Sequence, residues 1–247
     1  MRWVLLVMLG LLSACMPQGQ TSSLGTPPTA PRLIEGGIVD GRIVRATSLS
    51  LALPSAPLAI SRNGDNIYAA YPFQLLVYQN GFLRDSQPLP GVPRFVRAKP
   101  QVVVGTEDRL YVPGQGSFGY KAKDAVETRY GLFWLDDKGL NLNKDRISEG
   151  NYNFLAANDQ YTYAFSGDAL RLPDQTRIPL PAPVKAAVVL DNLYVLTPDA
   201  IYKLSPEGLQ LGSIKGAFEG LEADANTIYT LQNGALVRLN LNLEVLP

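Results

Sequence analysis

From about residue 33 onward the chain is written in short runs that alternate apolar and polar positions, cut at close intervals by turn residues. In DNLYVLTPDAIYKLSPEG (191–208), Ile201, Lys203 and Ser205 alternate with Tyr202 and Leu204, and Leu236, Val237, Arg238 and Leu239 form a similar half-buried run. A period of two marks strands with one face buried. The pairs Asn80-Gly81, Lys138-Gly139, Glu207-Gly208 and Asn233-Gly234 bound the runs and read as turns. No segment carries a convincing amphipathic helical period. The best helical candidate, 120–128, is short and lacks a cap. The pattern predicts an all-β domain.

The runs also repeat. Each unit has an Asp-containing turn, a strand carrying Tyr, a second turn and an apolar strand that ends near Gly. The instances are GDNIYAAYPFQLLVYQNG (64–81), EDRLYV joined with GLFWLDDKG (107–112 and 131–139), NDQYTYAFSGDALRLPD (158–174), 191–208, and DANTIYTLQNGALVRLN (224–240). Tyr68, Tyr111, Tyr163, Tyr194 and Tyr229 hold matching places. Spacings of roughly 30–50 residues indicate one supersecondary unit per repeat. Aromatic side chains on pleated, half-buried surfaces are expected to pack neighbouring units together.

Strand-rich units of this size resemble the blades of β-propellers. DNLYVLTPDAIYKLSPEG is similar to repeats of the NHL, YVTN and quinoprotein-like families, and the resemblance covers about residues 55–247. It implies five to six four-stranded blades, each running outward from a central channel. The clearest blade has strands at 184–190, 193–197, 200–204 and 209–214. The hairpin around Asp40-Gly41 supplies a sixth blade or pairs with the C-terminal strands to close the ring. The last residues, LEVLP, read as a final strand. A sandwich or open barrel is the competing architecture.

The N-terminus carries a different message. Met1-Arg2 and an apolar stretch from Trp3 to Leu12 lead into Leu12-Ser13-Ala14-Cys15. This resembles the signal peptide and lipobox of a bacterial lipoprotein, which implies removal of residues 1–14 and lipid on Cys15. The apolar run is about ten residues, and a membrane span needs roughly 20. A thiolate is the nucleophile such lipidation requires. Two or more acyl chains anchor stably where one does not. Residues 15–32 then read as a lipidated cysteine and a Pro/Ser/Gly-rich tether, with the folded domain at 33–247. Met16 rather than Asp follows the cysteine, which favours the outer membrane over the inner. The expected location is the cell envelope, facing the periplasm or exterior.

Composition narrows the chemistry. Of 247 residues 46% are hydrophobic, and 22 Lys plus Arg balance 22 Asp plus Glu. No global field attracts nucleic acid. The 22 Gly and 19 Pro suit a turn-rich fold, and there is no histidine and one cysteine. Ser-His-Asp or Cys-His catalysis and His- or Cys-based zinc sites are therefore excluded. No cofactor is implied.

Asp65, Asp108, Asp159, Asp191 and Asp224 recur before strands, where Asp closes turns with its own side chain. A ring of calcium-binding carboxylates is the alternative. Asp136-Asp137 reads as a hairpin turn, since neighbours on a strand point to opposite faces and cannot flank one glycosidic bond. GQGSFG lacks the lysine and helix of a phosphate loop.

Residues 114–130 break the repeat and read as a long loop between strands. Loops longer than about 12 residues in a compact domain are commonly functional or disordered. This one gathers Phe118, Tyr120, Lys121, Lys123, Glu127, Arg129 and Tyr130, aromatic and charged groups suited to a protein surface or a sugar chain. Residues 141–153 are a weaker candidate. The reading that emerges is a lipid-anchored binding or scaffold module for an envelope protein or polysaccharide. The alternative resembles calcium-dependent lactonase and esterase-like propellers, with Glu35, Asn153 and Glu222 as candidate ligands.

Overall fold

A computed structural model of the protein describes residues 25–47 and 49–247. Cys15, the expected signal peptide at 1–14 and most of the expected tether at 15–32 lie outside the described residues. The domain is a β-propeller of seven blades, at 32–52, 59–88, 93–118, 124–149, 154–178, 186–215 and 219–240. Blades 1 to 6 are antiparallel four-stranded meanders in chain order, and blade 7 has three strands. A single bridge, Leu239 to Val245, lays the LEVLP segment beside the last strand as the stub of a fourth.

The count of seven corrects the expected five to six. The unit that joined EDRLYV to GLFWLDDKG is two blades: the first piece contains the third strand of blade 3, Leu110–Val112, and the second contains the second strand of blade 4, Gly131–Leu135. Residues 33–50, in turn, lie within a complete blade that shares no strand with the C-terminus. The segment 184–214 is the sixth blade, with strands Ala186–Val189, Leu193–Leu196, Ala200–Leu204 and Gln210–Lys215, close to expectation.

Tyr68, Tyr163, Tyr194 and Tyr229 all lie on second strands, while Tyr111 lies on a third. Their packing role holds across blades. Tyr163 of blade 5 donates to the Pro206 carbonyl of blade 6, and Tyr194 of blade 6 donates to the Leu241 carbonyl beyond blade 7.

Apolar burial holds neighbouring blades together, and it does so unevenly. Among the described residues, a buried apolar cluster bridges each of the six joints between consecutive blades, from Val44 with Ile67 across blades 1 and 2 to Tyr194 with Ile228 across blades 6 and 7. None bridges blades 7 and 1. There, Ile38 and Arg45 face Leu236 and Arg238 across a cleft of about 350 Å³. The ring closes through Leu33 of blade 1 packed against Gly220 of blade 7 and through polar groups near its axis.

Candidate functional site

Seven inner strands converge on the axis, so their side chains must be small or must point along the channel. Ala156 and Ala187 satisfy the first condition. The second is met by charged residues at strand ends: Glu35 in the turn after the first inner strand, Arg62 near the end of the second, Arg97 and Lys99 at and just beyond the end of the third, Asp124 at the start of the fourth, and Glu222 near the end of the seventh. Six blades contribute walls to an axial cavity of about 130 Å³.

Two ion pairs organise it. Arg97 grips Asp124 with both arms, Nε to Oδ1 at 3.0 Å and Nη2 to Oδ2 at 2.7 Å. The same carboxylate accepts from the Leu155 amide of blade 5 at 2.8 Å, so one aspartate joins blades 3, 4 and 5. Its negative charge raises the Arg97 pKa further above the ordinary value. Lys99 pairs with Glu35 of blade 1 and donates to the Ala223 carbonyl of blade 7. Glu35 is also held by blade 2: Oε1 accepts from the Gly64 amide at 3.0 Å, and its carbonyl accepts from Arg62 Nη1 at 3.0 Å. Blades 7, 1, 2 and 3 therefore meet at one polar knot.

The partners differ in how far they are sealed. The Asp124 and Glu35 side chains are only 6% and 7% exposed, while Arg97 and Lys99 keep 39% and 35%. Each cation is paired on one side and open to the channel on the other.

Glu222 stands apart. It makes no side-chain hydrogen bond or ion pair among the described residues, and its carboxylate lines the cavity. Burial drives its pKa up to about 7; Arg97 and Lys99 pull it down, and the charge of Glu35 adds to the rise. Next to it, Asp224 accepts from the Tyr229 hydroxyl at 2.6 Å and from the Asn226 and Thr227 amides. Those bonds outweigh burial and hold the Asp224 pKa below its usual range. Of the recurrent aspartates, Asp224 thus performs turn chemistry, and in blade 5 the neighbouring Asn158 does so in place of Asp159. Asp108 lies between second and third strands, away from the first turns that hold the other four.

The 114–130 segment is not a loop. It holds the outer strand of blade 3, Gly116–Phe118, and the inner strand of blade 4, Asp124–Thr128. Buried polar residues on that inner strand, Asp124, Glu127 and Thr128, give it the look of a solvated excursion. The expected cluster is consequently divided. Phe118 and Tyr120 stack at 5.8 Å, and Tyr120 stacks on Trp134 of blade 4 at 4.7 Å, so these aromatics seal a joint. Lys121 is exposed and Lys123 pairs with Asp137 at 3.0 Å. Glu127 is buried and accepts from Gln115 at 3.1 Å. Arg129 and Tyr130 form an exposed cation–π pair in the turn at the far end of that strand, roughly 16 Å away at strand rise. They lie on the opposite face of the ring. Residues 141–153 likewise contain a strand, Asp145–Glu149.

The candidate calcium ligands separate too. Glu35 and Glu222 reach the axis, but Asn153 is exposed in the connection between blades 4 and 5. Among the described residues no three His, Cys, Asp or Glu side chains converge as a cation site requires. The Lys99 ammonium occupies the cation position beside Glu35.

Arg62, Arg97 and Lys99 were not anticipated from the sequence, and Asp124 was read only as one more charge of the 114–130 segment. The available signal was charge inside otherwise apolar strands, as in AISRN and PRFVRAK, because unpaired charges are seldom buried.

No family model and no curated protein matches the chain. Many solved structures do. PorZ, a bacterial surface component of the type-IX secretion system of Porphyromonas gingivalis, is 12% identical with a TM-score of 0.58, over 89% of this chain and 38% of that one. Apo AztD from Citrobacter koseri is 12% identical with a TM-score of 0.53, over 89% and 85%. BBS1N, solved in complex with ARL6DN, is 16% identical with a TM-score of 0.51, over 74% and 76%. These likenesses establish the fold. This chain spans well under half of PorZ.

Proposed function

We propose that the protein is a binding or scaffold module, displayed outside the cytoplasm by lipid on Cys15, and that it holds an envelope protein at its outer rim. The observation that carries this reading is the outer strand of blade 2, Phe82–Pro88. It is seven residues long and pairs only with the strand inside it. It opens with Phe82 and Leu83, 78% and 57% exposed. The rest of the strand, Arg84 to Pro88, is polar and ends in proline, so the apolar pair at its head is the part a partner would cover. An extended partner segment adds to such an edge through main-chain hydrogen bonds. Leu209 and Leu211, exposed at the outer strand of blade 6, offer a smaller second edge. The use of related folds within a secretion system and in a complex with ARL6DN supports a role in protein contact.

The test is a photo-crosslinker at Phe82 in intact cells of the source organism, with a second at Asp159 as a control on an exposed turn. A discrete adduct from position 82 that is lost with Leu83→Asp supports the reading. Equal labelling from both positions, or none, refutes rim docking. Cys15→Ala separately tests the anchor: the protein must leave the membrane fraction.

A further inference from the structure

We propose that the axial cavity is a binding site for a small monocarboxylate, taken up together with one proton at Glu222. The argument begins with donors. After pairing with Asp124, the Arg97 guanidinium keeps its Nη1 hydrogens, and the Lys99 ammonium keeps one hydrogen beyond its bonds to Glu35 and Ala223. Both groups stay open on the channel side. A planar guanidinium edge matches a carboxylate. The rest of the wall mixes the apolar side chains of Val96, Val126, Leu155 and Val188, which suit a short alkyl chain, with Ser61 and main-chain groups. At about 30 Å³ per water, the volume equals roughly four waters, the size of an acetate or lactate.

Charge selects the class. Arg97 and Lys99 of blade 3 and Glu35 of blade 1 act on the charge of Glu222; Arg62 of blade 2 lines the same cavity, Asp124 of blade 4 pairs with Arg97, and Asp224 of blade 7, two residues on, acts on Lys99, while blades 5 and 6 present only apolar residues to the cavity. With Glu222 ionised, three cations face four carboxylates, so the set already carries one negative charge and an anion adds to it unless a proton comes with it. A buried site resists net charge. A monoanion therefore enters with one proton, Glu222 becomes neutral, and its new O–H donates to the ligand. A dianion such as sulfate adds one further charge and is excluded.

The experiment is calorimetric titration of the full chain in detergent with lactate, at pH 6 and pH 8, in buffers of differing ionisation enthalpy. Lactamide is the neutral control. Since Glu222 titrates near 7, the competent fraction, and so the affinity, should fall about tenfold between the two pH values. Close to one proton should be taken up at pH 8. Glu222→Gln, permanently neutral, should bind lactate with little pH dependence, and sulfate, a dianion at both pH values, should give no heat. Equal affinity at both pH values in the wild type, lactamide binding as well as lactate, or no saturable heat overturns the proposal. This site acts at the axis, so its failure leaves the rim-docking reading intact, and the reverse also holds.

Discussion

Replacing Glu222 with glutamine should make the ligand-free protein more stable, and only above mildly acidic pH. The ordinary glutamate value is 4.5, and in the folded ring burial moves it to about 7. Below pH 4.5 both the folded and the unfolded chain hold the proton, and the group's contribution is fully present. Between 4.5 and 7 the unfolded chain releases the proton while the folded chain keeps it, so stability falls as pH rises. Above 7 both are ionised and the loss is complete. At ~1.4 kcal/mol per pKa unit, the full loss is about 3 kcal/mol. Some water reaches the carboxylate through the channel, so this is an upper figure.

Glutamine keeps the shape and never ionises. The difference between variant and wild type should thus be near zero at pH 4.5 and grow to as much as ~3 kcal/mol at pH 8. In melting temperature that is about 6–12 °C for a domain of this size. Thermal melts of both proteins at half-unit steps from pH 4.5 to 8.5 read it directly. Other acids cancel in the comparison, including Asp174, held at about 2 by Arg171. A difference that stays flat with pH, or a variant less stable at pH 8, refutes the placement of a desolvated, unpaired carboxylate at the axis.

Lys99→Met should leave the Glu35 carboxylate buried without its cation, at a cost of roughly 2–3 kcal/mol, under the range typical of fully buried pairs because Lys99 is partly exposed. Adding Glu35→Gln should recover more than half of that in urea titrations, and no recovery means that the pair is not the operative contact. Tyr120→Ala should remove the middle ring of the Phe118–Tyr120–Trp134 stack and cost about 1–2 kcal/mol, because the ring is only half-buried. The same change should shift Trp134 emission, and an unchanged spectrum argues against the stack.

The blade architecture was legible where each residue's polarity matched its exposure. Ala200–Leu204 alternates apolar and polar side chains, and Asp191 and Gly208 mark its blade, so blade 6 could be drawn strand by strand. Blade 4 failed that test. Its inner strand, Asp124–Thr128, is wholly buried yet carries Asp124, Glu127 and Thr128. Hydrophobic periodicity treats polar positions as solvated. At the axis the rule inverts, because the inner strands face other charged strands. Lys121, Lys123, Arg129 and Tyr130 around this strand completed the appearance of a surface loop. Glu35 and Glu222 were singled out as acids and do reach the channel, but the cation they face is Lys99, whose place in PRFVRAKP carries no local motif.

Ring closure and channel chemistry rest on the same side chains. In a propeller whose ends share a strand, main-chain hydrogen bonds close the circle. Here blade 1 and blade 7 are each built from contiguous chain, and among the described residues their joint has no buried apolar cluster of its own. Beside the contact of Leu33 with Gly220, what ties them is Lys99, reaching from blade 3 to Glu35 of blade 1 and to the Ala223 carbonyl of blade 7. Glu222 immediately precedes Ala223, so the charge that titrates near neutrality sits one residue from the clasp. Ionising Glu222 draws on Lys99 and Arg97 and thereby competes with Glu35 and Asp124 for the same cations. Protonation of Glu222 returns both cations to the bonds that hold blades 1, 3, 4 and 7 together, whereas a bound carboxylate takes the place of Glu222 on them. The cleft between Ile38 and Leu236 is where the looser state of that clasp should first admit solvent.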